Sequence, residues 1–232
     1  MRAIRRLYFY LVAFISAEVV IWGVISLLRT LFLPQATGGA ANILAGGLAA
    51  VLVGLPIFGL HWSVAQRDAR READEAASRE RALFLYGIRL AVWLPMAQSL
   101  IGLINEGQLA LLFGARPDLA LIGPEQPWSD HVIALLVNAV AWAYFARVLR
   151  GDWQSGTLPP DNLIEVRRLA RYVWMLYTLG LTVFGGMYML RSVFFQVTVV
   201  TDLNVTWLAG GISLALVGAP LWARTWRVIT RA

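Results

Sequence analysis

The sequence predicts an all-α, polytopic membrane protein: six transmembrane helices arranged as three parallel helix-pair repeats, with both termini cytoplasmic. Three observations carry that prediction. The 232 residues are 59% apolar and only 15% charged, too little charge for a soluble domain of this size. The chain repeats itself, and each repeat holds two apolar segments of membrane-spanning length. Its arginines gather on one side of those segments.

The repeats are read by fixed offset. Residues 44–62 align with 208–226, and Leu44, Ala45, Gly46, Gly47, Leu52, Val53, Gly54, Pro56 and Trp62 meet Leu208, Ala209, Gly210, Gly211, Leu216, Val217, Gly218, Pro220 and Trp226. A second register pairs Arg5, Arg6, Leu7, Tyr10, Gly23 and Arg29 with Arg167, Arg168, Leu169, Tyr172, Gly185 and Arg191. A weaker middle copy starts at Arg81, Leu83 and Tyr86. The chain is thus read as one membrane domain, 1–232, with repeats 5–67, 81–150 and 167–227. Each repeat holds two spans, so all three enter the membrane in the same sense, around an expected pseudo-threefold axis along its normal.

The spans expected in order are Leu7–Leu28, Ile43–Trp62, Leu83–Ile104, Val132–Val148, Tyr172–Leu190 and Val205–Ala223. They must be helices, because lipid leaves no water to satisfy free backbone groups. The first is too long for a signal-peptide core and lacks a small-residue cleavage site, so it is expected to remain as an anchor. The stretch Gln66–Arg81 is rich in helix formers and is expected to extend the second helix past the membrane. Segment 149–171 carries Gly151, Gly156, Pro159 and Pro160 and reads as a turn-rich linker. In loop 105–131 a short amphipathic helix on the membrane surface is expected around Gln108–Phe113.

With both termini, segments 63–81 and 149–171, and Arg147 at the adjoining end of the fourth span on one side, that side holds sixteen Arg and the other three. The bias is expected to place both termini in the cytoplasm, and the expected location is the cell (inner) membrane. Anionic lipid headgroups are attracted to such loops. The basic pI of about 10.3 therefore calls for no nucleic-acid partner. Membrane lipids, and other membrane subunits, are the expected partners.

The start Arg5-Arg6-Leu7-Tyr8-Phe9-Tyr10, followed by Gly54-Leu55-Pro56 and by His61-Trp62 ahead of Gln66-Arg67, resembles prokaryotic membrane proteins grouped as domain of unknown function 5671. The likeness covers 5–67 well and 167–226 in part, where Thr225 replaces His61. It is poor over 81–150, where Pro56 has no counterpart near Ala139–Val140. It implies a helical membrane fold and no particular reaction.

Few residues offer chemistry. The chain has no Cys, which removes disulfides, thiolate metal sites and cysteine nucleophiles. All twenty basic residues are Arg, which removes lysine Schiff bases. Glu18 is the sharpest candidate, since a carboxylate in mid-span is costly and usually functional. Arg89, in the third span, is its natural partner, offset by about 7–8 Å of depth at the helical rise. The two form a structural pair, or Glu18 is held neutral by hydrogen bonds, or it serves a relay or a lipid contact. For a relay, Gln98, Ser99 and Asn138 are the further polar groups within the spans.

Pro56, Pro95 and Pro220 interrupt spans and are expected as helix kinks. The small residues at 44–47 and 208–211 suit close helix approach. His61 and His131 fall at opposite faces and cannot easily share one metal ion or haem. Trp62, Trp222 and Trp226 are expected in an inner aromatic belt, Trp128 and Trp207 in an outer one. No metal, cofactor or catalytic constellation emerges. The expected function is that of a non-catalytic structural or accessory subunit, with a small transporter or channel built on Glu18 as the rival.

Overall fold

The computed structural model describes residues 2–32, 40–113, 127–154, 160–196 and 202–231. Their regular structure is helical throughout: α1 Arg2–Phe32, α2 Ala40–Arg71, α3 Ala73–Ala76, α4 Arg79–Phe113, α5 Trp128–Gln154, α6 Pro160–Gln196 and α7 Asp202–Thr230. Six of these, all but α3, are long and apolar enough to cross a membrane. The protein is therefore a multi-pass membrane protein.

Several helices outrun the expected spans. α2 continues to Arg71, nine residues beyond its expected span, before the chain breaks at Glu72 and turns through α3. The supposed linker 149–171 is largely helical: α5 runs through Gly151 to Gln154, and α6 starts at Pro160. Proline is tolerated at a first helical position because the N–H it lacks would have no partner there anyway. Gln108–Phe113 is the last stretch of α4 and not a separate surface helix. Of the rest of that loop, 114–126 lie outside the described residues. Pro56, Pro95 and Pro220 all sit inside helices that continue on both sides, so they do not end their spans.

The chain forms two compact units, Met1–Pro95 with Leu136–Ala170, and Met96–Leu135 with Arg171–Ala232. In the first, α1 packs on α2. Its core takes Tyr10, Ala13 and Ala17 from one face of α1 and Trp62 and Ala65 from α2. Leu85 and Ile88 of α4 and Phe145 and Leu149 of α5 complete it. Spacings of three and four residues put each set on one helical face. The opposite faces are apolar too, with Leu7, Leu11, Ile15, Val53 and Leu60 all exposed. A soluble protein would hide such side chains; here they meet lipid.

Since lipid is as apolar as leucine, helix association inside it relies on close packing. Gly23 and Gly47 show how. A Cβ on either would lie 3.2 Å from the other's carbonyl oxygen, so α1 and α2 cross almost backbone to backbone. In the second unit Gly185 and Gly211 do the same for α6 and α7, at 2.9 Å each way. That unit's core gathers Ala97 and Ile101 of α4, Leu181 of α6, and Leu214 and Val217 of α7.

Trp62 departs from the expected aromatic belt. It is 5% exposed, lies stacked with Phe58 and tilted against Phe84, and donates its indole N–H to the Tyr144 hydroxyl at 2.6 Å. Its repeat partner Trp226 is exposed and lies near Trp222.

Candidate functional site

The most developed polar site in the described residues lies in the first unit, where the N-terminal turns of α1 and α4 meet the C-terminal turns of α2 and α5. Arg81 is its centre and is 2% exposed. Its Nε donates to Asp152 Oδ2 at 2.8 Å and its Nη2 to Asp152 Oδ1 at 3.1 Å, a bidentate pair joining α4 to α5. Nη2 also donates to Gln66 Oε1 of α2 at 2.8 Å. The guanidinium carbon stands 5.6 Å from the centroid of Trp62, whose ring closes one side. Two parallel N–H···O bonds of this kind fix geometry as well as charge.

A second lock sits beside it. Glu75, nearly buried on α3, accepts a hydrogen bond from Arg6 Nε at 2.5 Å and a long one from the Tyr10 hydroxyl at 3.4 Å. The four-residue α3 carries this carboxylate at the turn between α2 and α4. Nearer the surface, Arg5 pairs with Asp68 at 3.7 Å. Arg5 opens α1 and Asp68 closes α2, much as Arg81 opens α4 and Asp152 closes α5.

The sequence candidates lie elsewhere. Glu18 is on α1, directly after the core residue Ala17. It lines a groove of about 510 Å³ between α1 and α2, with Phe14, Trp22, Gly46 and Gly47. Its Oε1 is buried and has no hydrogen-bond partner among the described residues. Arg89 instead lies with its guanidinium carbon 5.9 Å from the Tyr86 ring centroid, and its Nε is likewise unpartnered. No ion pair joins Glu18 and Arg89.

Of the proposed relay groups, Gln98 donates to the Tyr177 hydroxyl at 2.8 Å, while Ser99 and Asn138 are buried. His61 is bonded through Nδ1 to the Ile57 carbonyl at 2.8 Å within its own helix. His131 stands 3.7 Å from Glu106, over Gly102. No group of three metal-ligating side chains occurs among the described residues.

Sequence reasoning missed the Arg81–Asp152 and Arg6–Glu75 locks: Arg6 and Arg81 were read as repeat markers and side-counting charges, and Asp152 and Glu75 were not singled out. A signal existed: Arg81 is followed by Ala82, Leu83, Phe84 and Leu85, so a charge sits at the head of an apolar helix, where only a partner makes burial tolerable.

Fold and site together define a multi-pass helical membrane protein with interlocked polar ends. The chain belongs to the family Domain of unknown function (DUF5671), whose profile matches residues 6–146 and 168–232. That match runs through the middle segment, where the sequence likeness looked poor. No curated protein and no solved structure matches the chain.

Proposed function

We propose that this protein is a non-catalytic structural or accessory subunit of a bacterial inner membrane, with both termini cytoplasmic. The observation that carries the reading is the use of its buried charges. Arg81, Asp152, Arg6 and Glu75 are consumed in helix-to-helix locks and are not aimed into a cavity. The outward faces of the helices are almost wholly apolar, a surface suited to lipid and to neighbouring membrane helices.

Two helix pairs that pack alike support this reading. Gly23 with Gly47, and Gly185 with Gly211, occupy positions equivalent by sequence offset and make the same reciprocal contact. Ser16 and its counterpart Thr178 bond back to equivalent carbonyls, Val12 and Trp174.

The test is extraction from the native membrane in mild detergent and identification of what co-purifies in stoichiometric amount. A foreign subunit is expected; its consistent absence counts against the proposal.

One observation favours a second reading, a small transporter. Glu18 faces a groove with an unpartnered oxygen. Flux in proteoliposomes that disappears in Glu18→Gln would establish it.

A further inference from the structure

α2 changes character along a single face. Val53, Ile57 and Leu60 are exposed apolar residues at spacings of four and three. Continuing along that face come Ser63, Arg67, and Arg70 with Arg71. Ser63, Gln66, Arg67, Arg70 and Arg71 line a hollow of about 380 Å³. Arg67 lies about 10 Å along the axis from Leu60, a distance that carries the chain from hydrocarbon into the headgroup layer.

The three arginines are uncommitted. Two neighbouring acids are taken: Asp68 pairs with Arg5 and Glu75 with Arg6. None of Arg67, Arg70 and Arg71 has an ion-pair partner among the described residues. Gln66, at the wall of the hollow, spends its carbonyl oxygen on Arg81, which leaves its amide NH₂ as a donor for the hollow. The wall thus offers three guanidinium groups and an amide, all donors, beside an apolar strip. Guanidinium groups match phosphate oxygens in forked geometry.

We propose that this hollow is a binding site for an anionic phospholipid, with the phosphate held by Arg67, Arg70 and Arg71 and an acyl chain lying along Leu60, Ile57 and Val53. A soluble phosphate would use the arginines but gain nothing from the apolar strip. The strip and the charges lie on one continuous face, and only an amphiphile uses both. The site does not depend on the accessory role and stands or falls separately from it.

The test is native mass spectrometry of the detergent-solubilised full chain, titrated with phosphatidylglycerol or with phosphatidylcholine of the same acyl chains. The triple variant Arg67→Gln, Arg70→Gln, Arg71→Gln is compared with a control of equal charge loss, Arg168→Gln, Arg224→Gln, Arg227→Gln. The wild type is expected to prefer phosphatidylglycerol. The hollow's triple variant should weaken its binding roughly a hundredfold, and the control by less than about threefold. Arg70→Gln alone, the milder change, should weaken it about fivefold and serves if the triple variant does not fold. Equal loss in both triple variants would reduce the effect to bulk charge and overturn the site. Displacement of the lipid by equimolar inorganic phosphate would assign the hollow to a soluble ligand and overturn it as well.

Discussion

Arg81 and Asp152 meet as a two-bond fork, 2.8 and 3.1 Å long, between the start of α4 and the end of α5. Arg81 is 2% exposed and the Asp152 side chain 16%. Removing one partner leaves the other charge buried and uncompensated, a change worth about 3–5 kcal/mol. Arg81→Met and Asp152→Leu should therefore each lower the unfolding midpoint in detergent strongly. The double variant should recover much of the loss, because two apolar side chains leave no orphan. Additive losses in the double variant would show that the two side chains act independently.

The glycine crossings give a sharper contrast within neighbouring residues. At Gly185 a Cβ would lie 2.8 Å from the Ala215 backbone nitrogen, whereas at Gly186 nothing lies within 4 Å. Gly185→Ala should cost about 1–3 kcal/mol through forced separation of α6 and α7. Gly186→Ala should be neutral or stabilising by up to about 1 kcal/mol, from helix propensity. Gly47→Ala and Gly46→Ala should repeat the contrast in the first unit. Thermal melts of the four purified variants check both pairs.

In the second unit a Cβ at Gly102 would overlap the His131 ring. Gly102→Ala should destabilise, and His131→Ala in the same chain should relieve most of that cost. A double-mutant cycle read by thermal unfolding gives the coupling, expected to be at least about 1 kcal/mol. A coupling near zero would mean the ring moves aside freely.

Orientation can be measured cleanly because the chain has no Cys. A single Ala115→Cys should react with a membrane-impermeant thiol reagent on intact spheroplasts. Ala232→Cys should react only after permeabilisation. The reverse pattern would overturn the cytoplasmic placement of the termini.

Helix number and kind were legible because hydropathy and length alone decide what crosses lipid. The small-residue contacts at Gly47 and Gly211 were legible too, since only glycine lets two helix backbones approach so closely. Helix ends were less so. Gly151 and Pro160 looked like breakers, yet one is absorbed by a long α5 and the other opens α6. The site was read least well. Glu18 stood out as a charge in mid-span, but linear sequence does not say which face of α1 its neighbour occupies. In the fold Glu18 lines a groove with α2 residues and forms no ion pair with Arg89. Arg81 and Asp152, 71 residues apart, are joined only by the packing of α4 on α5, a contact that no local pattern encodes.

The central claim is that this chain works as a subunit beside others. The mass of the intact particle, released from its native membrane and measured by native mass spectrometry, tests it most directly. The claim predicts the 25.7 kDa chain plus a stoichiometric foreign subunit. Particles whose masses are only whole multiples of this chain, with or without lipid, would contradict it.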